Sequence, residues 1–80
     1  MDLDSTYSKL TAIMRDVFED DDLQPRPDMT ANDVDGWDSL SHLRLVMSIQ
    51  KAFRVKFSAA DIGGMKNVGD LVTLIQSKLG

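Results

Sequence analysis

Apolar residues recur at intervals of three and four in separate stretches of this chain, and that period constrains the fold more than any other feature. Leu3, Tyr7, Leu10, Met14 and Val17 form one stripe, widened by Ile13 and Phe18. Leu43, Val46, Met47, Ile49 and Phe53 form a second stripe, and Val68, Leu71, Val72, Ile75 and Leu79 a third. Such spacing lays an apolar face along an α-helix. Only Val55-Lys56-Phe57 alternates as a strand would, and with no second strand to pair with it reads as an extended linker. The pattern predicts an all-α fold: a small four-helix bundle with three long helices, one short helix, and a long loop between the first and second.

Local signals set the boundaries. The first helix is expected to start near Asp4 or Ser5 and to end by about Glu19, because Glu19-Asp20-Asp21-Asp22 would oppose the negative end of its dipole. That acidic run reads as a solvated helix end. Leu23 to Trp37 is a long connection containing Pro25, Pro27, Asn32 and Gly36. Unstructured loops beyond about 12–15 residues are uncommon in compact domains, so Leu23, Met29, Val34 and Trp37 are expected to pack it across the bundle. Trp37 reads as a loop anchor. Asp35-Gly36 is a turn signal, and Asp38 or Ser39 then caps a second helix running to about Phe53. Lys51, Arg54 and Lys56 near its end suit the helix dipole. Ser58 and Asp61 resemble a capping box that opens a short helix. Gly63-Gly64 stops that helix, with a hinge as the second reading. Asn67 caps the last helix.

A chain of 80 residues is expected to be one domain spanning 1–80. It has no cysteine, which removes disulfide staples, thiol nucleophiles and Cys-based metal sites. Asp2 and Asp4 near the start, with no basic or apolar segment, give no secretory signal. No apolar run approaches the roughly 20 residues of a membrane span. A cytoplasmic protein without a membrane partner is the expectation. The net charge of −4 argues against nucleic-acid binding. That charge is polarised: residues 1–38 hold eleven acids and three bases (−8), and residues 39–80 two acids and six bases (+4), which sum to −4.

The chemistry that this allows centres on Ser39. The serine opens a helix at the end of a long polar loop, where unpaired N–H groups and the positive end of the dipole favour a phosphate. Two other readings fail. An EF-hand needs Asp at position 1, Gly at 6 and Glu at 12, yet with Gly36 at position 6 those ends fall on Ala31 and His42. No metal site is expected. A Ser39-His42-Asp38 or Ser39-His42-Asp35 hydrolase would also need an oxyanion hole and a substrate cleft that so small a bundle hardly provides. His42 therefore reads as a surface or partner-facing residue, with no catalytic residue expected. Met14, Met29, Met47 and Met65 read as core filler.

Asp38-Ser39-Leu40 near mid-chain, followed by Leu45-Val46-Met47 and Phe53, resembles the acyl carrier proteins over nearly the whole length. The resemblance implies that the chain is not an enzyme, and that Ser39 receives a 4′-phosphopantetheine arm from coenzyme A, whose thiol carries acyl groups as thioesters. It implies a phosphopantetheinyl transferase as partner, with an acyl-loading ligase or acyltransferase and downstream synthase enzymes, and a monomeric carrier. Asp38, Leu40, Arg44 and Met47 become recognition candidates. Val46, Met47, Ile62, Met65 and Val68 become candidates for an acyl groove, although their own pattern says only core. A peptidyl or D-alanyl carrier is the nearest alternative, but Gly36-Trp37-Asp38-Ser39 lacks the Gly-Gly-x-Ser setting usual in the peptidyl type. An unmodified helical interaction module is the other alternative. The departure from the family is charge. Fatty-acid-synthesis carriers resemble one another in an acidic second helix, and here Ser41, Arg44, Gln50, Lys51 and Ala52 stand in the acidic positions. Docking on Arg- and Lys-rich partners should weaken accordingly.

Overall fold

A computed structural model describes residues 2–79. Four α-helices follow one another: α1 (Leu3–Val17), α2 (Ser39–Phe53), α3 (Ala59–Gly63) and α4 (Val68–Leu79), with a single 3-10 turn at Ala31–Asp33 inside the long α1–α2 connection. This is the expected bundle of three long helices and one short. Val55-Lys56-Phe57 runs without secondary structure, its Phe57 N–H donating to the Gln50 side-chain oxygen at 2.8 Å.

Helix boundaries follow from their caps. α1 starts slightly earlier than Asp4, because the Asp2 carboxylate accepts from the Ser5 N–H at 2.7 Å. It ends at Val17, and Glu19 turns the chain away with φ 53°. The acidic run thus lies just beyond the helix, exposed to solvent. Both bonds of the Ser58/Asp61 capping box form, and Asp61 also takes Lys78 Nζ of α4 at 3.1 Å. α3 ends on Gly64 at φ −88°, so the stop does not use the left-handed conformation glycine usually supplies.

The core lies where α1, α2 and α4 face one another. Leu10, Met14, Leu45, Ile49, Leu71 and Ile75 are each at most 1% exposed. Burying side chains of this size stabilises the fold by about 1.5–3 kcal/mol apiece. α3 buries no residue. Leu43 and Met47 depart from the apolar stripe expected on α2, being 51% and 68% exposed. The stripe that does turn inward is Leu45, Val46, Ile49 and Phe53. Consecutive residues diverge by a little over a quarter turn, so Met47, one step past Val46, has rotated out of the core.

The long connection does pack across the bundle: Leu23, Met29 and Val34 are buried. Arg15 Nε holds the Leu23 carbonyl at 2.8 Å. At the other end the loop caps α4, since Val68 N–H donates to Met29 O and Gly69 N–H to Pro27 O, both at 2.9 Å. These are helix-start donors with no partner inside the helix. A Cβ on Gly69 would lie 2.9 Å from the Pro27 carbonyl oxygen, so the close approach requires glycine there.

Candidate functional site

The loop delivers Ser39 to the surface through a turn that the sequence specifies residue by residue. Gly36 adopts φ +83°, and Asp38 N–H closes onto its carbonyl at 3.0 Å. Asp38 then takes extended backbone and its carboxylate accepts from Ser41 N–H at 2.8 Å. That bond holds the Asp38 carboxyl below the usual carboxylate value. Asp38 is therefore the cap, and Ser39 is the exposed first residue of α2.

Beside Ser39 opens a cavity of about 350 Å³, bordered by Ala31, Trp37, His42, Met65 and Leu71, and by the more polar Lys66 and Asn67. Three elements meet there. Trp37 lies half-buried between Phe18, past the end of α1, and His42 in the first turns of α2, with ring centroids 5.5 and 6.1 Å away. Its indole Nε1 donates to His42 Nδ1 at 3.1 Å. Trp37 thus anchors the loop, and His42 is partly buried against it at the edge of the cavity. The same bonds leave little for a hydrolytic triad, because Trp37 occupies Nδ1 of the imidazole and the Asp38 carboxylate serves Ser41.

Known proteins match this arrangement over most of the chain. A family described as "Phosphopantetheine attachment site" matches residues 8–75. An "Acyl carrier protein" of Thermotoga maritima is 35% identical over 74 residues, which make up 92% of this chain and 91% of that relative. The chain belongs to the acyl carrier protein family. The solution structure of a holo acyl carrier protein from Geobacter metallireducens superposes with a TM-score of 0.87 at 43% identity, covering 92% of this chain and 85% of that one. An acyl carrier protein is a carrier and not itself an enzyme, and its cofactor is a covalently attached 4′-phosphopantetheine. The residues here fit such an arm, with an exposed hydroxyl at a helix start and a partly apolar recess beside it.

The carrier does not bring the five groove candidates together. Met65 borders the cavity beside Ser39. Val46 and Val68 are 2% and 0% exposed and sit in the core. Ile62 is half-buried on α3. Met47 faces outward instead, over a different recess shared with Asp16, Glu19 and Arg44. Two of the recognition candidates, Leu40 and Met47, line up with Leu43 on the outer side of α2, at 61%, 68% and 51% exposure. Sequence spacing missed Ala31, Leu71, Lys66 and Asn67 at the cavity. They arrive from the 3-10 turn, the start of α4 and the linker before it, and no motif marks them.

Proposed function

We propose that Ser39 is the residue of this carrier that bears the 4′-phosphopantetheine arm. We further propose that the carrier serves a dedicated loading ligase or acyltransferase and downstream synthases of specialised acyl metabolism, polyketide-type or other, instead of general fatty-acid synthesis. The observation that carries the first part is position: Ser39 is exposed, starts α2 directly after a capped turn, and opens onto the cavity. The arm supplies a thiol that holds acyl groups as thioesters. A phosphopantetheinyl transferase makes the Ser39 Oγ–phosphorus bond as the pyrophosphate bond of coenzyme A breaks, and adenosine 3′,5′-bisphosphate leaves. Asp38 and Leu40 flank that oxygen and offer the transferase one carboxylate and one exposed apolar side chain.

The second part rests on charge. α2 carries no carboxylate from Ser39 to Phe53, and Arg44 lies beside the exposed line of Leu40, Leu43 and Met47. A partner suited to that face presents apolar surface without a cluster of Arg and Lys. Met65, which borders the cavity and packs on the core that holds Val68, is the side chain an acyl chain would first have to move. We read residues 1–80 as one carrier domain acting as a cytoplasmic monomer, supported by a core that the chain's own helices close. Among the described residues no helix is long and apolar enough to cross a membrane.

Intact mass before and after incubation with coenzyme A and a broad-specificity transferase tests the Ser39 assignment. The expected result is a gain of one arm that Ser39→Ala abolishes. A protein that starts one arm heavy is already modified and supports the same assignment. A folded protein that starts without the arm and gains nothing, or a Ser39→Ala protein that still gains, overturns it.

A further inference from the structure

The geometry points to His42 as the side chain that holds the phosphodiester of the arm beside α2, through the proton on Nε2, with Trp37 as the positioning residue that keeps the proton there. This rests on Ser39 bearing the arm.

An indole N–H donates and cannot accept. Its bond to His42 Nδ1 at 3.1 Å therefore requires an unprotonated Nδ1, and a neutral imidazole then carries its proton on Nε2. The ring is also held in place. It stacks on Trp37 at 23°, and Trp37 in turn packs on Phe18. His42 follows Ser39 by three residues, so the two lie on neighbouring parts of one helix face, and both border the same cavity. A diester on Ser39 Oγ has one negative charge and two unesterified oxygens, all acceptors. A ring in this tautomer meets it with a donor. In the other tautomer it would present a lone pair.

The surrounding groups make that donor matter. Asp38 also borders the cavity, and a carboxylate there repels a phosphodiester. Asn67 commits its side-chain oxygen to Asp70 N–H at 2.7 Å. Lys66 brings a cation, but on a long exposed stem that fixes no geometry. Asn67, with its amide so fixed, keeps a second donor at the rim, in the linker before α4. His42 is the partly buried, pre-oriented donor on the helix that carries Ser39, and a hydrogen bond to an ionised acceptor is the stronger kind.

The test is nuclear magnetic resonance on apo and holo protein, in a buffer alkaline enough to keep the imidazole neutral, with the mass and amide spectrum of every sample recorded. Long-range ¹H–¹⁵N spectra are expected to show the proton on Nε2 in both forms and to show the Nε2 signal moving when the arm is attached. The ³¹P resonance of the holo protein is expected to move by more than its linewidth in His42→Phe. Trp37→Phe should give a mixture of tautomers and a smaller ³¹P change in the same direction. A purely structural role for His42 would alter the amide spectrum and leave tautomer and ³¹P signals alone. His42 ring signals identical in apo and wild-type holo protein overturn the inference while the Ser39 assignment stands, even where a variant fails to fold. A wild type that neither starts with the arm nor gains it removes both.

Discussion

A carboxylate caps a helix well only while it is ionised, and three of the helix starts here depend on one. Asp2 and Asp38 accept from the backbone N–H three residues on, and Asp61 accepts from Ser58 N–H with Lys78 as a second partner. In each the backbone bond is the largest cause of a carboxyl held below its usual value. A group whose folded value is depressed stabilises the fold wherever it is ionised in both states. That stability goes as pH falls from the unfolded carboxylate range, about 3.9 for Asp, through the lowered folded values. The carboxylate contribution to the urea midpoint should therefore be lost as pH falls below about 4. Asparagine caps a helix nearly as well as aspartate without titrating, so Asp38→Asn should show a shallower acid fall at similar neutral stability. An equally steep fall in the variant would mean that the Asp38 cap does not contribute to it.

Among the elements, α3 and α4 treat their glycines in opposite ways. Gly69, in the first turn of α4, meets the Pro27 carbonyl oxygen so closely that a Cβ would stand at 2.9 Å. Alanine is the better helix former by about 1 kcal/mol, but here it must push loop backbone off the helix start. Gly69→Ala should thus destabilise the fold by about 1–3 kcal/mol. Gly63, in α3, has open space around the position of a Cβ. Gly63→Ala should stabilise by up to about 1 kcal/mol, and should slow amide exchange from Ile62 to Met65 if the pair acts as a hinge. Urea unfolding of both variants checks the contrast, and a stabilising Gly69→Ala would show that the Pro27 contact yields freely.

At the scale of the whole molecule the charge is distributed so that α2 meets partners with an apolar line and basic residues. The carboxylates that share recesses with Arg44 come from outside α2: Asp16 and Glu19 from α1 and the turn after it, and Asp35 from the loop. Complementary charge acts mainly on encounter rates. Binding to a ketosynthase of fatty-acid synthesis should therefore be weak and nearly indifferent to salt. Arg44→Glu combined with Lys51→Glu should raise the association rate by at least about tenfold at low salt. Tight, salt-sensitive binding by the unaltered chain would sink the specialised-partner reading.

The sequence by itself determined what depends on neighbours along the chain. Three-and-four spacing is a property of consecutive residues, so the helices were legible, as were the Ser58/Asp61 box, the Asp35-Gly36 turn and Ser39 at the start of α2. Which apolar residues the core would take was less legible, because Leu43 and Met47 keep the period and differ from Val46 only in the direction they face once α1 and α4 are in place. Tertiary structure alone decided contacts between residues remote in sequence. It put Gln76 Nε2 on the buried Thr6 hydroxyl at 3.0 Å and the loop carbonyls of Pro27 and Met29 on the start of α4. It also seated Trp37 between Phe18 and His42, which chose the tautomer of the imidazole beside Ser39. Hydrogen bonds and close packing are short-ranged, so partners brought together by folding leave no period in the chain for a reader to find.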